Sequence, residues 1–341
     1  MAMEKILTIV VPTYNAEKYL RDNLASFCIP RLLPYLEVLV INDGSTDRSS
    51  DIAEEYVKRY PYTYKLITKE NGGHGSGINT GILNATGKYF KIVDADDWVE
   101  EEPFVRLVET LRKSDSDIVA SGFYWVYDEG QADKAEFARK PEMKVPFLGV
   151  DYQKKYVFDE IADQLYIKMH HMTIKTAILK EHKIEIDEHC YYVDTEYITY
   201  PIPYVNTIEF VDGFVYMYRL GRQGQSVSME KMQSNEKNYD RVMESLLAFY
   251  ANLECQSSCS QKKRQYIARV IARVAAGKIK IMLSFPPTSS KKASLIEFDN
   301  YLKLSYPAIY YNNVNSSLRL LRYSHYLLYT AASILVRRKY K

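Results

Sequence analysis

The sequence predicts an α/β fold: a mostly parallel sheet with helices on both faces, followed by a helical appendage. Three observations carry this reading. Short, nearly unbroken apolar runs alternate with helical patterns through the first hundred residues, polar and acidic residues collect where those runs end, and beyond about residue 231 strand signals give way to long amphipathic patterns. With 341 residues, 47% of them apolar and 26% charged, the chain has the length for two domains and the composition for a sizeable core. The expected division is 1–230 and 231–341.

The run ILTIVVP (6–12) lacks the alternation of a half-exposed strand, as a strand buried on both faces should. Tyr19, Leu20, Leu24 and Phe27 then recur at helical spacing, and the pattern stops near Pro30. LEVLVIND (36–43) is the second strand. Ser45, Thr46 and Asp47 offer N-caps for a helix carrying Ile52, Ala53, Tyr56 and Val57, which ends before Pro61. TYKLIT (63–68) is the third strand, and the Gly-rich NGGHGSG (71–77) opens a short helix through Ile78, Ile82 and Leu83 that Gly87 ends. KYFKIVDADD is the fourth strand, giving a βαβαβαβ order and hence parallel pairing. A helix over 101–113, a strand over 117–127, a polar excursion over 128–150 and a mixed region to about 229 complete the first part.

Ligands of open parallel sheets bind at the carboxyl ends of the strands. Here those ends carry Pro12–Thr13–Tyr14–Asn15, Asp43–Gly44–Ser45 and Asp94–Ala95–Asp96–Asp97. In an extended chain Asp94 and Asp96 face the same side. Two carboxylates about 4 Å apart repel by roughly 4 kcal/mol at an effective dielectric near 20, so a hard divalent cation is an apt partner. Tyr14 offers a ring for stacking on a base, and Asp43 an acceptor for a base or ribose donor. The plainer alternatives are a solvated acidic turn for D-x-D-D, a helix cap for Asp43 and a flexible turn for NGGHGSG. That last segment lacks Gly-Lys-Ser/Thr and does not fit G-x-G-x-x-G, which disfavours a P-loop or a dinucleotide dehydrogenase.

Taken together, IVVPTYNAEKYL, VLVINDGSTDRS and ENGGHGSGINTGILNATGKYFKIVDADDW resemble the family 2 inverting glycosyltransferases of the GT-A (Rossmann-like) fold, and YYVDTEY (191–197) and YMYRLGRQGQS (216–226) extend the resemblance to about residue 230. The resemblance implies a nucleotide-sugar donor, most simply UDP-linked, held by Pro12, Thr13, Tyr14, Asn15, Asp43, Asn71, His74, Gly75, Asn79, Asp94 and Ala95. It implies Mn²⁺ or Mg²⁺ bound directly by Asp96, with Asp94 near the ribose, and Asp194 as the general base. Arg219, Arg222, Gln225 and Ser226 fall where the family places a loop over the diphosphate and acceptor. Two positions depart from the pattern. Ile78 stands roughly where an Arg is frequent, leaving His74 or Arg222 to meet the phosphates, and Val193 replaces the usual Glu before the base. The residue-level alternative for Asp194 is an N-cap of a helix over 195–200, with Glu196 and Glu209 as solvated carboxylates.

The implied reaction is transfer to a hydroxyl of a glycan, a lipid-linked glycan or an acidic wall polymer such as teichoic acid, in surface polysaccharide synthesis. A non-catalytic sugar-nucleotide binding subunit is the alternative from another class. From Cys255 to Lys341 there are 16 Lys/Arg against Glu297 and Asp299, a net of +14, which leaves −12 on residues 1–254 of a chain whose overall charge is +2. The stretch 318–341 mixes apolar, aromatic and basic residues with no acid, suiting either an ordinary helical surface or an interfacial helix on anionic lipid. No nucleic-acid motif accompanies the charge. The four cysteines (Cys28, Cys190, Cys255, Cys259) suit neither a disulfide framework nor a zinc site. With no signal-peptide pattern and no apolar run of spanning length, the expected location is cytoplasmic, with peripheral docking at the inner membrane face as the variant.

Overall fold

The computed structural model describes residues 4–128, 137–142, 149–152, 154–221, 229–253 and 259–339. The chain forms two compact units, Met1–Gln223 and Gly224–Lys341.

The first unit opens with β1 (Leu7–Thr13), α1 (Glu17–Ala25), β2 (Leu36–Asp43), α2 (Ser49–Arg59), β3 (Tyr64–Lys69), α3 (Gly73–Asn84) and β4 (Tyr89–Ile92). It continues through β5 (Trp98–Val99), α4 (Glu101–Lys113), β6 (Ile118–Tyr127), β7 (Ala138–Pro141), β8 (Lys155–Val157), α5 (Phe158–Ile161), β9 (Met172–Lys175), α6 (Thr176–Glu181), α7 (Asp194–Thr199) and β10 (Thr207–Leu220). Ten strands form one sheet in the order β3-β2-β1-β4-β9-β6-β10-β5, with β7 on β6 and β8 on β10. The first four are mutually parallel; Val10 of β1 lies between Leu39 of β2 and Ile92 of β4. Strand β9 runs antiparallel to both β4 and β6, so β6 and its parallel partner β10 point the same way as β4. All these carboxyl ends therefore meet on one edge.

Every residue of β2 is buried, which accounts for its unbroken apolar run. Its side chains and those of β1 pack against Leu20 and Leu24 of α1, Phe27 just beyond that helix, Ile52 and Ala53 of α2 and Phe104, Leu107 and Val108 of α4. Each large apolar side chain so buried contributes about 1.5–3 kcal/mol. On β1 also lies α3, and Gly81 permits the approach: a Cβ there would stand 2.5 Å from a Val10 methyl.

One expectation fails at the fourth strand. Regular pairing stops at Ile92, and the Asp97 N–H closes a turn onto the Asp94 carbonyl at 2.9 Å. Asp94 and Asp96 are thus turn residues, and strand alternation does not set their directions.

The second unit is helical: α8 (Met229–Ser234), α9 (Glu236–Asn252), α10 (Gln261–Ser284), α11 (Ser289–Ser305), α12 (Pro307–Tyr311), α13 (Ser316–Tyr323) and α14 (Tyr329–Lys339). Ser260, Thr288 and Asn315 cap α10, α11 and α13 through side-chain oxygens. Ile279, Met282, Leu283, Leu295, Leu318, Leu321 and Tyr329 share a core. Asp299, fully buried in α11, accepts from the Arg322 guanidinium at 2.6 Å and from the Tyr326 hydroxyl at 2.6 Å, so one of this region's few acids is an internal strut. No described helix is long and apolar enough to cross a membrane.

Candidate active site

The β1–α1 and β2–α2 loops are stitched side chain to backbone. Asn15, at φ 48°, donates its N–H to Ser45 Oγ (3.0 Å), and its side-chain oxygen accepts the Thr46 N–H (2.8 Å). Asp47 accepts the Glu17 N–H at 2.9 Å while Glu17 accepts the Arg48 N–H at 3.0 Å, so the expected cap of α2 also holds the start of α1. Thr13 is buried, its hydroxyl bonded to the Val11 carbonyl, whereas Tyr14 remains 56% exposed.

Asp43 ends β2 and caps α3. Its two oxygens accept the N–H groups of Gly72 (2.9 Å) and Gly73 (2.7 Å), and Lys69 Nζ lies 3.0 Å away. Asn71 donates to the Asp43 carbonyl. The Gly-rich segment is therefore mostly the first turn of a helix. Gly75 is needed for close approach: a Cβ there would lie 2.1 Å from the Asp187 carbonyl oxygen. Asn79 binds the same loop, exchanging hydrogen bonds with the Ile186 backbone at 2.8 and 2.9 Å. From the other side Glu196, fully buried rather than solvated, accepts the Asp187 N–H at 2.8 Å. Glu209 likewise accepts from Ser114 and Ser116.

This loop leads to Asp194, the first residue of α7 rather than its N-cap. Asp194 is exposed, yet the protein atoms around it still cost its carboxylate hydration and push its pKa up to about 6; His74 lowers it and Asp94 raises it. His74 Nε2 lies 2.9 Å from Asp94 Oδ1. Burial alone would lower the imidazole's pKa, but Asp94, then Asp194 and Asp43, carry it above the ordinary value. Residues from two strand ends and two helix starts thus share one electrostatic centre.

Asp97, without an expected role, is the strap of the acidic turn. It accepts from the Tyr216 hydroxyl (2.6 Å) and the Arg219 N–H (2.7 Å), and burial beside Asp94 raises its pKa well above the carboxylate range. Arg219 departs from its expected place over the diphosphate. It is 4% exposed, bonded to the Asp96 carbonyl (2.9 Å) and Asp128 (2.8 Å), and stacked on Tyr19 and Trp98, so it supports the turn from within. Arg222, Gln225 and Ser226 lie outside the described residues.

Atoms of Asp94, Asp97 and His170 come within 4.8 Å of one another, a group that leaves out Asp96. Burial lowers the His170 pKa to about 3, and its Nδ1 is buried without a hydrogen-bond partner among the described residues. A neutral imidazole beside a carboxylate fits Mn²⁺ better than Mg²⁺, which favours oxygen ligands. Both Asp97 oxygens already serve the fold, so Asp94 and His170 are the better donors. The His170 segment is held by Lys91, buried in β4, whose ammonium donates to the His170 and Met172 carbonyls and whose pKa burial lowers to about 7. The sequence offers no spacing signal for His170. A cavity of about 510 Å³ among Lys113, Asp115, Lys155 and Glu209 lies at the amino ends of β6 and β10, remote from these groups.

A parallel quartet ending in an acidic turn, with a second carboxylate brought beside it by a later helix, has the GT-A architecture of glycosyltransferases. The profile of "Glycosyl transferase family 2" matches residues 8–183, and the chain belongs to that family. It is 27% identical over 273 residues to the uncharacterized glycosyltransferase EpsJ of Bacillus subtilis, covering 78% of this chain and 76% of EpsJ. It is 25% identical over 331 residues to the minor teichoic acid biosynthesis protein GgaB of the same organism, covering 96% of this chain but 35% of GgaB. Among solved structures, S. aureus TarS 1–349 in complex with UDP-GlcNAc has a TM-score of 0.60 at 21% identity, covering 98% of this chain and 89% of that one. The mannosyltransferase PcManGT of Pyrobaculum calidifontis, in complex with GDP-Man and Mn²⁺, has a TM-score of 0.52 at 15% identity, covering 98% and 87%. These structural likenesses establish the fold.

Proposed function

We propose that this glycosyltransferase moves a sugar from a UDP-linked donor to a hydroxyl of a bacterial surface or wall polymer, with inversion and with a divalent cation. The observation that carries the reading is the convergence of Asp94, His74 and Asp194 at the carboxyl edge of the parallel strands. Tyr14, exposed just past β1 beside Thr13 and the stitched Asn15, offers its ring to the base. His74, favoured as imidazolium by three carboxylates, offers a cation for the leaving diphosphate where Ile78 cannot. Asp94 and His170 would hold a Mn²⁺ ion, which would supply Lewis-acid stabilisation of the charge that develops on that diphosphate.

Asp194 takes the proton of the acceptor hydroxyl as the oxygen attacks the anomeric carbon. A pKa raised to about 6 suits the task, because the carboxylate is ionised at neutral pH yet more basic than an ordinary aspartate. A single base opposite the leaving group gives one displacement and hence inversion. The printed role of GgaB in minor teichoic acid biosynthesis favours a wall polymer of that type as acceptor over a lipid-linked glycan. The experiment is a screen of nucleotide sugars with donor hydrolysis and transfer as readouts, with and without EDTA. Chelation should abolish turnover and Mn²⁺ restore it, and Asp194→Asn should keep nucleotide binding while losing transfer by about 10²–10⁴-fold. Full activity in EDTA would remove the cation. Unchanged transfer by Asp194→Asn would remove the base, and binding with no turnover in the parent protein would favour the non-catalytic subunit.

A further inference from the structure

In the second unit, α14 packs inward through Tyr329, Ala332 and Val336. Its opposite face is also apolar, with Ile334 41% and Leu335 66% exposed. The turn before it presents Leu327 at 81% and Leu328 at 41%, and α13 adds Leu320 at 56% and Tyr323 at 86%. A helix that buries one apolar side has no folding reason to carry a second one outward. The basic residues Arg319, Arg337 and Arg338 stand exposed on the same two helices. From Asn300 to Lys341 there are seven Lys/Arg and no acid.

We propose that this α13–α14 surface docks on an anionic lipid bilayer, lying in the headgroup region with Leu327, Leu328, Ile334 and Leu335 entering the acyl boundary and Arg337 and Arg338 meeting lipid phosphates. The charge pattern selects this occupant. A second copy would set the same arginines against themselves across a two-fold axis with no acid from residues 300–341 to offset them. A soluble polyanion would satisfy the arginines but leave the exposed leucines in water. Interfacial helices combine the two properties that occur together here, an apolar face and flanking cations without spanning length. The proposal concerns the second unit alone and stands or falls independently of the donor reaction.

Flotation of the full chain with vesicles tests it. Binding to vesicles of equal phosphatidylglycerol and phosphatidylcholine in low salt is the expected result, with little binding to phosphatidylcholine alone. One basic residue near an anionic surface is worth about fivefold in partitioning, so Arg337→Glu with Arg338→Glu should weaken binding by at least about 25-fold. Leu327→Ser with Leu335→Ser should also release the protein, at unchanged charge. All four positions are exposed, so the melting temperatures should match the parent's, which separates lost docking from lost folding. Three outcomes overturn the proposal: no binding to the anionic vesicles by the parent, equal binding by both double variants, or a stable oligomer without lipid that Leu327→Ser with Leu335→Ser dissociates.

Discussion

The hydroxyl of Tyr216 donates to Asp97 at 2.6 Å and accepts the Asp94 N–H at 3.1 Å, so one phenol ties both ends of the acidic turn to β10. Both Tyr216 and Asp97 are buried, so water is poorly placed to replace the phenol at Asp97.

Tyr216→Phe should therefore cost about 1–3 kcal/mol, the penalty for leaving a buried acceptor without its donor. For a unit of this size that is a fall of about 2–4 °C in melting temperature per kcal/mol, read by calorimetry. Activity should also need more Mn²⁺ for half-saturation, because the turn bearing Asp94 is less tightly held. An unaltered melting curve would show that Asp97 is satisfied without Tyr216.

The pH profile follows from Asp194. In the proposed role of base, with a pKa of about 6, it should make kcat/KM fall about tenfold per pH unit below 6 and level off above 7. Stability runs the other way. The folded-state pKa lies above the ordinary carboxylate value, so the native state binds the extra proton between about pH 4 and pH 6. The associated stabilisation is complete below that window and lost as pH rises through 6. Asp194→Asn should consequently melt higher than the parent at pH 7–8, with the difference closing toward pH 4; thermal melts across this range decide it.

Gly75→Ala places a methyl 2.1 Å from the Asp187 carbonyl oxygen, a contact with the backbone that no rotamer relieves. The expected cost is about 1–3 kcal/mol of overpacking. Because Glu196 ties Asp187 to α7, transfer should decline more than nucleotide affinity, measured as kcat against donor Kd. Loss of donor affinity with intact kcat would return Gly75 to the phosphate side of the site.

What could be read in advance was whatever depends on near neighbours in the chain. The apolar runs of β1 and β2 mark buried strands because parallel strands covered on both faces have no polar side. The acidic turn, Tyr14 and Asp194 stand out because each follows such a run or belongs to an ordered set of blocks. Partnerships over long separations were invisible. Arg219 meets the Asp96 carbonyl 123 residues away and Asn79 meets Ile186 107 residues away, and nothing local distinguishes a strut from a ligand-binding group. Asp43 shows the same limit, since its carboxylate caps the helix after the next strand instead of the one that follows it. His170 was missed because its distinction lies in burial and an unmatched nitrogen, neither written in the residues beside it.

Strand β9, four residues long, is the sheet's sole hydrogen-bonded link between the parallel quartet and the strands beyond it among the described residues, through Tyr89–Lys175 and Phe90–Ile174 on one side and Ile118–Ile174 to Ala120–Met172 on the other. The quartet carries Asp43 and Asp94, whereas Asp194 arrives from the chain after β9. The family profile ends at residue 183, just past this seam. Because Tyr216 and Arg219 of β10 hold the Asp94–Asp97 turn from beyond that seam, a slip of β9 in register would draw the acids away from the strand that steadies them.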